Sequence, residues 1–178
     1  EGGRFTIDNV HYVKYGDELI PAGETEFAKD KTFGYKSSNL NEYIEEKTEG
    51  KYKAADVVDI TLDELRAMDF NKIEEKLLSV SGFGKIVVNA IDACDLKVFC
   101  VALYRALGKG HSFMFRTAAG FVKEFGAITD KPLLTRKEMV TMDTNAGGII
   151  VVGSHTKKTT SQVEALKSVP GIEFIELD

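Results

Sequence analysis

The sequence predicts an α/β protein with an open, mostly parallel sheet, helices on both faces of that sheet, an N-terminal β-hairpin and the start of a second α/β domain. Two observations lead to this prediction. Segments with the composition of strands alternate with segments of helical periodicity along the chain. In addition, strand segments such as residues 149–152 (IIVV) are apolar throughout instead of at every second position. Strands of that kind are buried on both faces, as in parallel sheets.

The first 22 residues predict the β-hairpin. Short alternations of apolar and polar residues lie on each side of residues 15–18 (YGDE), which have the chemistry of a tight turn. Residues 23–40 then show no clean period and predict a long ordered loop with short turns. Loops of this length inside a domain are usually functional or mobile.

Helices and strands are predicted to alternate over the next fifty residues. Asn39 or Asn41 can cap a helix, and Thr61 with Glu64 three residues later has the spacing of a capping box. The predicted elements are a helix over residues 40–47, a strand over 55–60, a short helix that starts at 61, a helix over 71–80 and a strand over 86–90.

The second half continues the same alternation. Asp92 and Asp95 flank the start of a predicted helix, where carboxylates cap the exposed N–H groups. A polar, glycine-rich break near residues 144–148 is the best candidate for a domain boundary. The predicted elements are a helix over residues 95–107, a strand over 112–115, a helix over 117–125, a strand over 149–152, a helix over 159–168 and a strand over 172–177.

Composition argues against two classes of function. A net charge of −5 disfavours nucleic-acid binding, which needs a cationic surface. No run of about 18 apolar residues is present to cross a bilayer. Cys94 and Cys100 lack the close pairing of a zinc or redox motif, so we expect a reduced, cytoplasmic protein.

Polar residues follow several of the predicted strands. Ligands bind at the carboxyl ends of strands in open parallel sheets, although polar loops occur there in any α/β protein. The residues at these positions are Asp59, Asn89, Asp92, Arg116, Thr117, Ser154 and His155.

Arg116 is the sharpest single candidate. It comes directly after an aromatic strand segment, from which its planar guanidinium can bind a carboxylate or phosphate with two hydrogen bonds. A structural ion pair with a nearby acid is the alternative.

Two further segments have candidate binding chemistry. Residues 153–160 (GSHTKKTT) lie between a strand and a helix, where N–H groups, hydroxyls and lysines can hold a phosphate. The spacing of a Walker loop is missing, and capping by a threonine is the alternative. Within it, His155 is either a general base or a polar surface residue. The acidic loop 23–30 (GETEFAKD), which contains Glu26, is either a substrate lid or a solvated charged loop.

Several segments, taken in order, resemble the four-carbon acid sugar kinase family. The resemblance runs over nearly the whole chain, and the RTAA and VGSHTKKTT segments are its distinctive parts. The segments are GETEFAKD (23–30), FGYKSSNL (33–40), VNAID (88–92), RTAA (116–119), PLLT (132–135) and VGSHTKKTT (152–160).

The resemblance implies a two-domain bacterial enzyme that uses ATP, with Mg²⁺, to phosphorylate tetronates such as threonate or erythronate. Residues 1–145 then correspond to the later part of the sugar-acid-binding domain, and residues 146–178 to the beginning of the nucleotide-binding domain. The chain is therefore expected to be a fragment, inactive alone. The family's paired-aspartate segment and its later glycine-rich segments have no counterpart in it.

Site residues carry over from the family one at a time. The implied substrate-binding residues are Arg116, Asn89, Asp92 and Glu26, and the implied nucleotide-binding residues are Gly153, Ser154 and Thr156. No catalytic base and no metal ligand is assigned.

Two alternatives to a kinase remain at this stage. One is a non-catalytic α/β module that binds a small anion, and the other is a regulatory protein built on the same scaffold. A strand over residues 172–177 could also pair with a second copy and give a homodimer, or its edge could result from truncation alone.

Overall fold

The structure is a computed structural model that describes residues 3–140, 147–154 and 156–177. The chain divides into two compact units, Glu1–Lys131 and Pro132–Asp178. Helices and strands are mixed, with one antiparallel sheet and one parallel pair of strands, so the predicted α/β class is confirmed.

The first unit begins with a three-stranded antiparallel sheet. Its strands are β1 (Arg4–Ile7), β2 (Val10–Tyr15) and β3 (Glu18–Pro21), paired in that order. The predicted hairpin is confirmed, because Tyr15 pairs with Glu18 across its turn. The sheet has one strand more than a hairpin, since the chain also reverses between β1 and β2.

The loop after this sheet is ordered by short turns. Two 3-10 turns, Ala22–Glu24 and Glu26–Lys29, precede helix α1 (Leu40–Lys47). Asn39 caps α1, because its side chain accepts hydrogen bonds from the N–H groups of Asn41 and Glu42.

The parallel pair consists of β4 (Val58–Ile60) and β5 (Ile86–Val88). Two helices connect these strands, α2 (Leu62–Arg66) and α3 (Phe70–Ser79). The predicted capping box at the start of α2 is present. Within the described residues, parallel pairing is limited to β4 and β5, so the parallel sheet is smaller than the sequence predicts.

The core of the first unit lies where α3 packs against helix α4 (Ala93–Gly108) and α4 packs against helix α5 (Ala119–Phe125). Burial of this apolar surface is the main force that holds the helices together. The buried cluster consists of Ile60, Leu65, Ile73, Leu77, Phe99, Cys100, Ala102, Leu103, Ala106 and Phe121.

The strand predicted over residues 112–115 is absent, since these residues form no ladder with any residue that the structure describes. Their aromatic rings pack on α5 instead. The Phe115 ring lies 5.0 Å from that of Phe121 and 5.8 Å from that of Phe125, measured between centroids. The prediction was wrong here because the apolar residues belong to an aromatic cluster and not to a sheet.

The second unit contains helices α6 (Arg136–Met139) and α7 (Lys157–Leu166) in its described part. The predicted strands over residues 149–152 and 172–177 form no ladder with any described residue, and Ile149 and Val151 are 92% and 88% exposed. A strand needs a neighbour for its N–H and C=O groups. The predicted boundary at residues 145 and 146 falls outside the described residues and stays a prediction.

None of the helices in the described ranges combines the length and the hydropathy needed to cross a membrane.

Candidate functional site

Arg116 lies on an aromatic stack in the first unit. Its guanidinium carbon is 5.0 Å from the centroid of the Tyr43 ring. The Tyr35 ring meets Tyr43 edge to face, with centroids 5.3 Å apart and an angle of 83° between the rings. We call these three residues the arginine–tyrosine stack. Contacts of both kinds are favourable, because the face of an aromatic ring is negative and its edge is positive.

The N–H groups of Arg116 have no protein acceptor among the residues that the structure describes. Two other arginines of the first unit differ in this respect. Arg66 donates to the Asp95 carboxylate, and Arg105 donates to the Asn71 side chain. These contacts therefore favour anion binding by Arg116 over a structural ion pair. The five N–H donors of its guanidinium are available to an anion.

The stack is anchored on the loop that contains Glu26. The Tyr35 hydroxyl lies 3.4 Å from the carbonyl oxygen of Ala22, to which it donates. The Thr25 hydroxyl donates to the same carbonyl oxygen, at 2.7 Å. The start of the loop therefore contacts Tyr35, and Tyr35 in turn packs against the tyrosine on which Arg116 lies.

Glu26 accepts a hydrogen bond from the Tyr15 hydroxyl, with an oxygen–oxygen distance of 2.8 Å. Burial raises the pKa of Tyr15, and this hydrogen bond to Glu26 raises it further. The predicted substrate residue Glu26 thus lies beside the last residue of β2, the central strand of the antiparallel sheet.

A second arginine contributes to the electrostatics of the stack. Burial and the neighbouring Tyr43 raise the pKa of Tyr35, whereas the positive charges of Arg4 and Arg116 act to lower it. The Arg4 guanidinium itself lies over the Phe27 ring, 5.1 Å from the centroid. Both arginines therefore place positive potential at one tyrosine.

Sequence reasoning missed Arg4, Tyr35 and Tyr43. Arg4 lies in β1 and belongs to no recognisable binding motif. Tyr43 has the spacing of an ordinary packing residue on an amphipathic helix. Their only signal was that Tyr35 lies in one of the family-like segments, FGYKSSNL.

Asn89 lies in a buried hydrogen-bond network, away from the stack's contacts. It is 2% exposed, its amide oxygen accepts from the N–H of Asn9, and its amide nitrogen donates to Asn9 Oδ1 and to the Ile60 carbonyl. The Asp59 carboxylate accepts from Asn9 and from Asn41 in the same network. The three hydrogen bonds of the Asn89 side chain thus join the β1–β2 turn to the parallel strands.

Asp92 caps helix α4. Its Oδ1 accepts from the N–H groups of Cys94 and Asp95, at 2.7 and 3.2 Å. The Asp95 carboxylate accepts in return from the Asp92 N–H, which completes a capping box. The predicted capping role of both aspartates is confirmed.

A wide, open groove of about 490 Å³ lies beside α1. Its charge does not suit an acid ligand, since three carboxylates line it. The Glu46 carboxylate is already engaged by the N–H groups of Lys36 and Ser37. The lining residues are Lys36, Ser37, Glu42, Glu45 and Glu46.

The predicted nucleotide residues lie in the second unit at the start of α7. Thr156 caps this helix by accepting from the N–H of Thr159. The Ser154 hydroxyl lies 3.2 Å from the Thr156 hydroxyl, and a Cβ at Gly153 would meet open space. Capping by a threonine, which the sequence left as the alternative, is thus present, whereas His155 lies outside the described residues.

No group of three or more histidine, cysteine, aspartate or glutamate side chains that could hold a metal ion occurs in the described part of the chain.

Comparison with known proteins gives one finding. A family model described as a sugar-binding N-terminal domain matches residues 1–125. No curated protein and no solved structure matches the chain. The matched range contains the whole arginine–tyrosine stack, and it confirms the family resemblance seen in the sequence motifs. The chain therefore belongs to the family of sugar-binding N-terminal domains, which is the N-terminal domain of the four-carbon acid sugar kinase family.

Proposed function

We propose that this chain supplies the acid-binding half of an ATP-dependent kinase that phosphorylates a four-carbon sugar acid, of the threonate or erythronate type, in sugar-acid catabolism. Membership in a sugar-binding family supports a small carbohydrate ligand. The observation that favours an acid over a neutral sugar is the positive charge of the Arg116 guanidinium, which no described protein group neutralises.

The arginine–tyrosine stack suits the carboxylate end of such a ligand. A guanidinium and a carboxylate form two parallel hydrogen bonds, and each charged hydrogen bond is worth about 1.5–3 kcal/mol. The Glu26 carboxylate can accept from a sugar hydroxyl, because a carboxylate accepts several hydrogen bonds. In this proposal Asn89 and Asp92 do not touch the ligand. Asn89 stabilises the buried hydrogen-bond network and Asp92 caps helix α4.

ATP and Mg²⁺ are the cofactors that we propose from family membership. The hydroxyls of Ser154 and Thr156, the open space beside Gly153 and the N-terminal N–H groups of α7 suit a phosphate of the nucleotide. Bound magnesium would supply neutralisation of phosphate charge during phosphoryl transfer. We place the protein in the cytoplasm, where ATP is abundant and where the free thiols of Cys94 and Cys100 are stable.

The direct test measures ATP turnover by the full-length protein with Mg²⁺ in the presence of threonate, erythronate, threitol or erythritol. The two polyols are matched controls, since each lacks only the carboxylate. We expect ADP and a phosphorylated acid to form with at least one tetronate and not with the polyols. Equal turnover with acid and polyol would contradict a role for the carboxylate.

A non-catalytic anion-binding module is the second candidate. It is favoured by one observation, namely that Arg116, Tyr43 and Tyr35 all lie in the first unit. Anion binding by these residues requires no nucleotide. Tetronate binding measured by calorimetry, without any ADP formation by the full-length protein, would support this candidate over the kinase.

A further inference from the structure

We propose that Tyr43 is a positioning residue that makes the Arg116 site selective for a planar carboxylate. The Arg116 guanidinium carbon lies over the Tyr43 ring, and its N–H groups donate to no described residue. This inference rests on the proposed function, because it concerns the same anion site, and it adds the element that orients the arginine.

The backbone around Arg116 does not by itself fix the guanidinium. Residues 112–118 lie outside helices and strands. Phe115 anchors the main chain through its contacts with Phe121 and Phe125. An exposed arginine side chain beyond that anchor still has several rotatable bonds, and ordering them on binding opposes affinity. In the described part of the chain, Tyr43 provides the contact that holds the head group.

The Tyr43 ring is itself held from two sides. It lies on α1, whose first turn is closed by the Asn39 cap. The edge of Tyr35 packs against it at an angle of 83°. Because the Tyr35 hydroxyl donates to the Ala22 carbonyl and the Tyr35 edge packs on Tyr43, the surface on which the Arg116 guanidinium lies is set before a ligand arrives.

This arrangement has a consequence for selectivity. A guanidinium donates in its own plane, so once its head group is held in place a ligand with two coplanar oxygens makes two good hydrogen bonds at once. A neutral hydroxymethyl group at the same place makes at most one. The stack therefore favours an acid over the corresponding polyol, and it does so through orientation as well as charge.

The test compares Tyr43→Leu and Tyr43→Phe with wild type in the full-length protein, by calorimetric titration with threonate and erythronate. We expect Tyr43→Leu to weaken binding of the acid about tenfold, and Tyr43→Phe, which keeps the ring, to stay within about twofold. In turnover assays KM for the acid should rise in Tyr43→Leu with kcat nearly unchanged. A general folding defect would instead lower the active fraction and leave KM as it was.

Phe70→Leu is the matched control. Arg105 lies over the Phe70 ring at 5.1 Å, nearly the distance found at Tyr43, but at another place in the unit. We expect Phe70→Leu to leave acid binding unchanged. An equal loss in Phe70→Leu and Tyr43→Leu would overturn the inference, since the effect would then come from any lost stacked ring.

Two outcomes separate this inference from the proposed function. If Arg116→Ala binds tetronates as wild type does, the proposed acid site is wrong. If Arg116→Ala weakens binding while Tyr43→Leu matches wild type, the acid site stands and the positioning role is wrong.

A measurement on the wild-type side chains covers the case in which Tyr43→Leu does not fold. A guanidinium above a ring face has its Nε–H proton shifted upfield, so the arginine Nε–H spectrum should contain an upfield signal that is missing in Arg116→Ala. We expect threonate to move that signal. An Arg116 signal at an ordinary shift would overturn the inference.

Discussion

Asn89 shows how a polar residue at the end of a buried strand is used in this protein. Its amide makes three hydrogen bonds, two of them to Asn9 in the turn between β1 and β2. Asn9 has a φ of 65°, a left-handed conformation that asparagine tolerates better than most residues. The network thus holds a strained turn against the parallel strands.

We predict that Asn89→Ala lowers the free energy of unfolding by about 2 kcal/mol, because it leaves the Asn9 N–H without its partner. Urea denaturation followed by tyrosine fluorescence measures this, since all six tyrosines lie in the first unit and the chain has no tryptophan. The control is Asn71→Ala, which removes an exposed asparagine and should change stability by less than about 0.5 kcal/mol. If Asn89→Ala has unchanged stability but binds tetronates more weakly, Asn89 contacts the ligand instead of stabilising the fold.

Glu64 is a buried carboxylate surrounded by donors. Its oxygens lie 2.6 Å from Lys76 Nζ and 3.1 Å from Lys72 Nζ, and one accepts from the Thr61 N–H. Burial acts to raise its pKa, but hydrogen bonds from Lys76, Thr61 and Lys72 outweigh it and lower the pKa to about 2. The charged form is therefore favoured by folding.

This shift predicts acid sensitivity. The folded-state pKa lies below the unfolded value of 4.5, so the stabilisation is fully present above pH 4.5 and is lost as the pH falls towards 2. We expect Glu64→Gln to cost about 2 kcal/mol at pH 7, and the difference from wild type to shrink between pH 4.5 and 2. Glu75→Gln, at an exposed position of α3, is the control. A pH-independent difference in urea midpoints would show that charge is not the cause.

At the scale of single elements, helix starts could be predicted and strands only in part. Caps depend on residues two or three positions apart, so Thr61 with Glu64 and Asp92 with Asp95 were evident from spacing. A strand requires a partner that is distant in sequence. Residues 112–115 have strand composition, yet the Phe115 ring packs on α5. The backbone of this segment forms no ladder with any described residue.

Helix α4 provides the test at this scale. We predict that Asp92→Ala lowers the free energy of unfolding by about 1 kcal/mol, whereas Asp92→Ser, which keeps a capping oxygen, stays near wild type. Tetronate affinity should be the same in both variants and in wild type. A serine variant of normal stability that binds the acid poorly would instead make Asp92 a ligand residue.

At the scale of the whole molecule, the sequence motifs identified the family, and they led us to expect Arg116 on the substrate side. They could not show what holds Arg116, because Tyr43 and Tyr35 lie far from it in the chain and have ordinary local patterns. The antiparallel sheet, the loop with Glu26 and helix α1 together build the support for one arginine of the segment before α5. Tertiary contacts, not local spacing, thus build the candidate site.

The most direct test of this account is calorimetric titration of threonate and erythronate into the full-length protein, its Arg116→Ala variant and its Arg105→Ala variant. Each variant removes an arginine that lies over an aromatic ring, at 5.0 and 5.1 Å from the centroid. We expect Arg116→Ala to weaken tetronate binding by about 10- to 100-fold, through loss of charged hydrogen bonds, and Arg105→Ala to bind as wild type does. Wild-type affinity in Arg116→Ala would contradict the account.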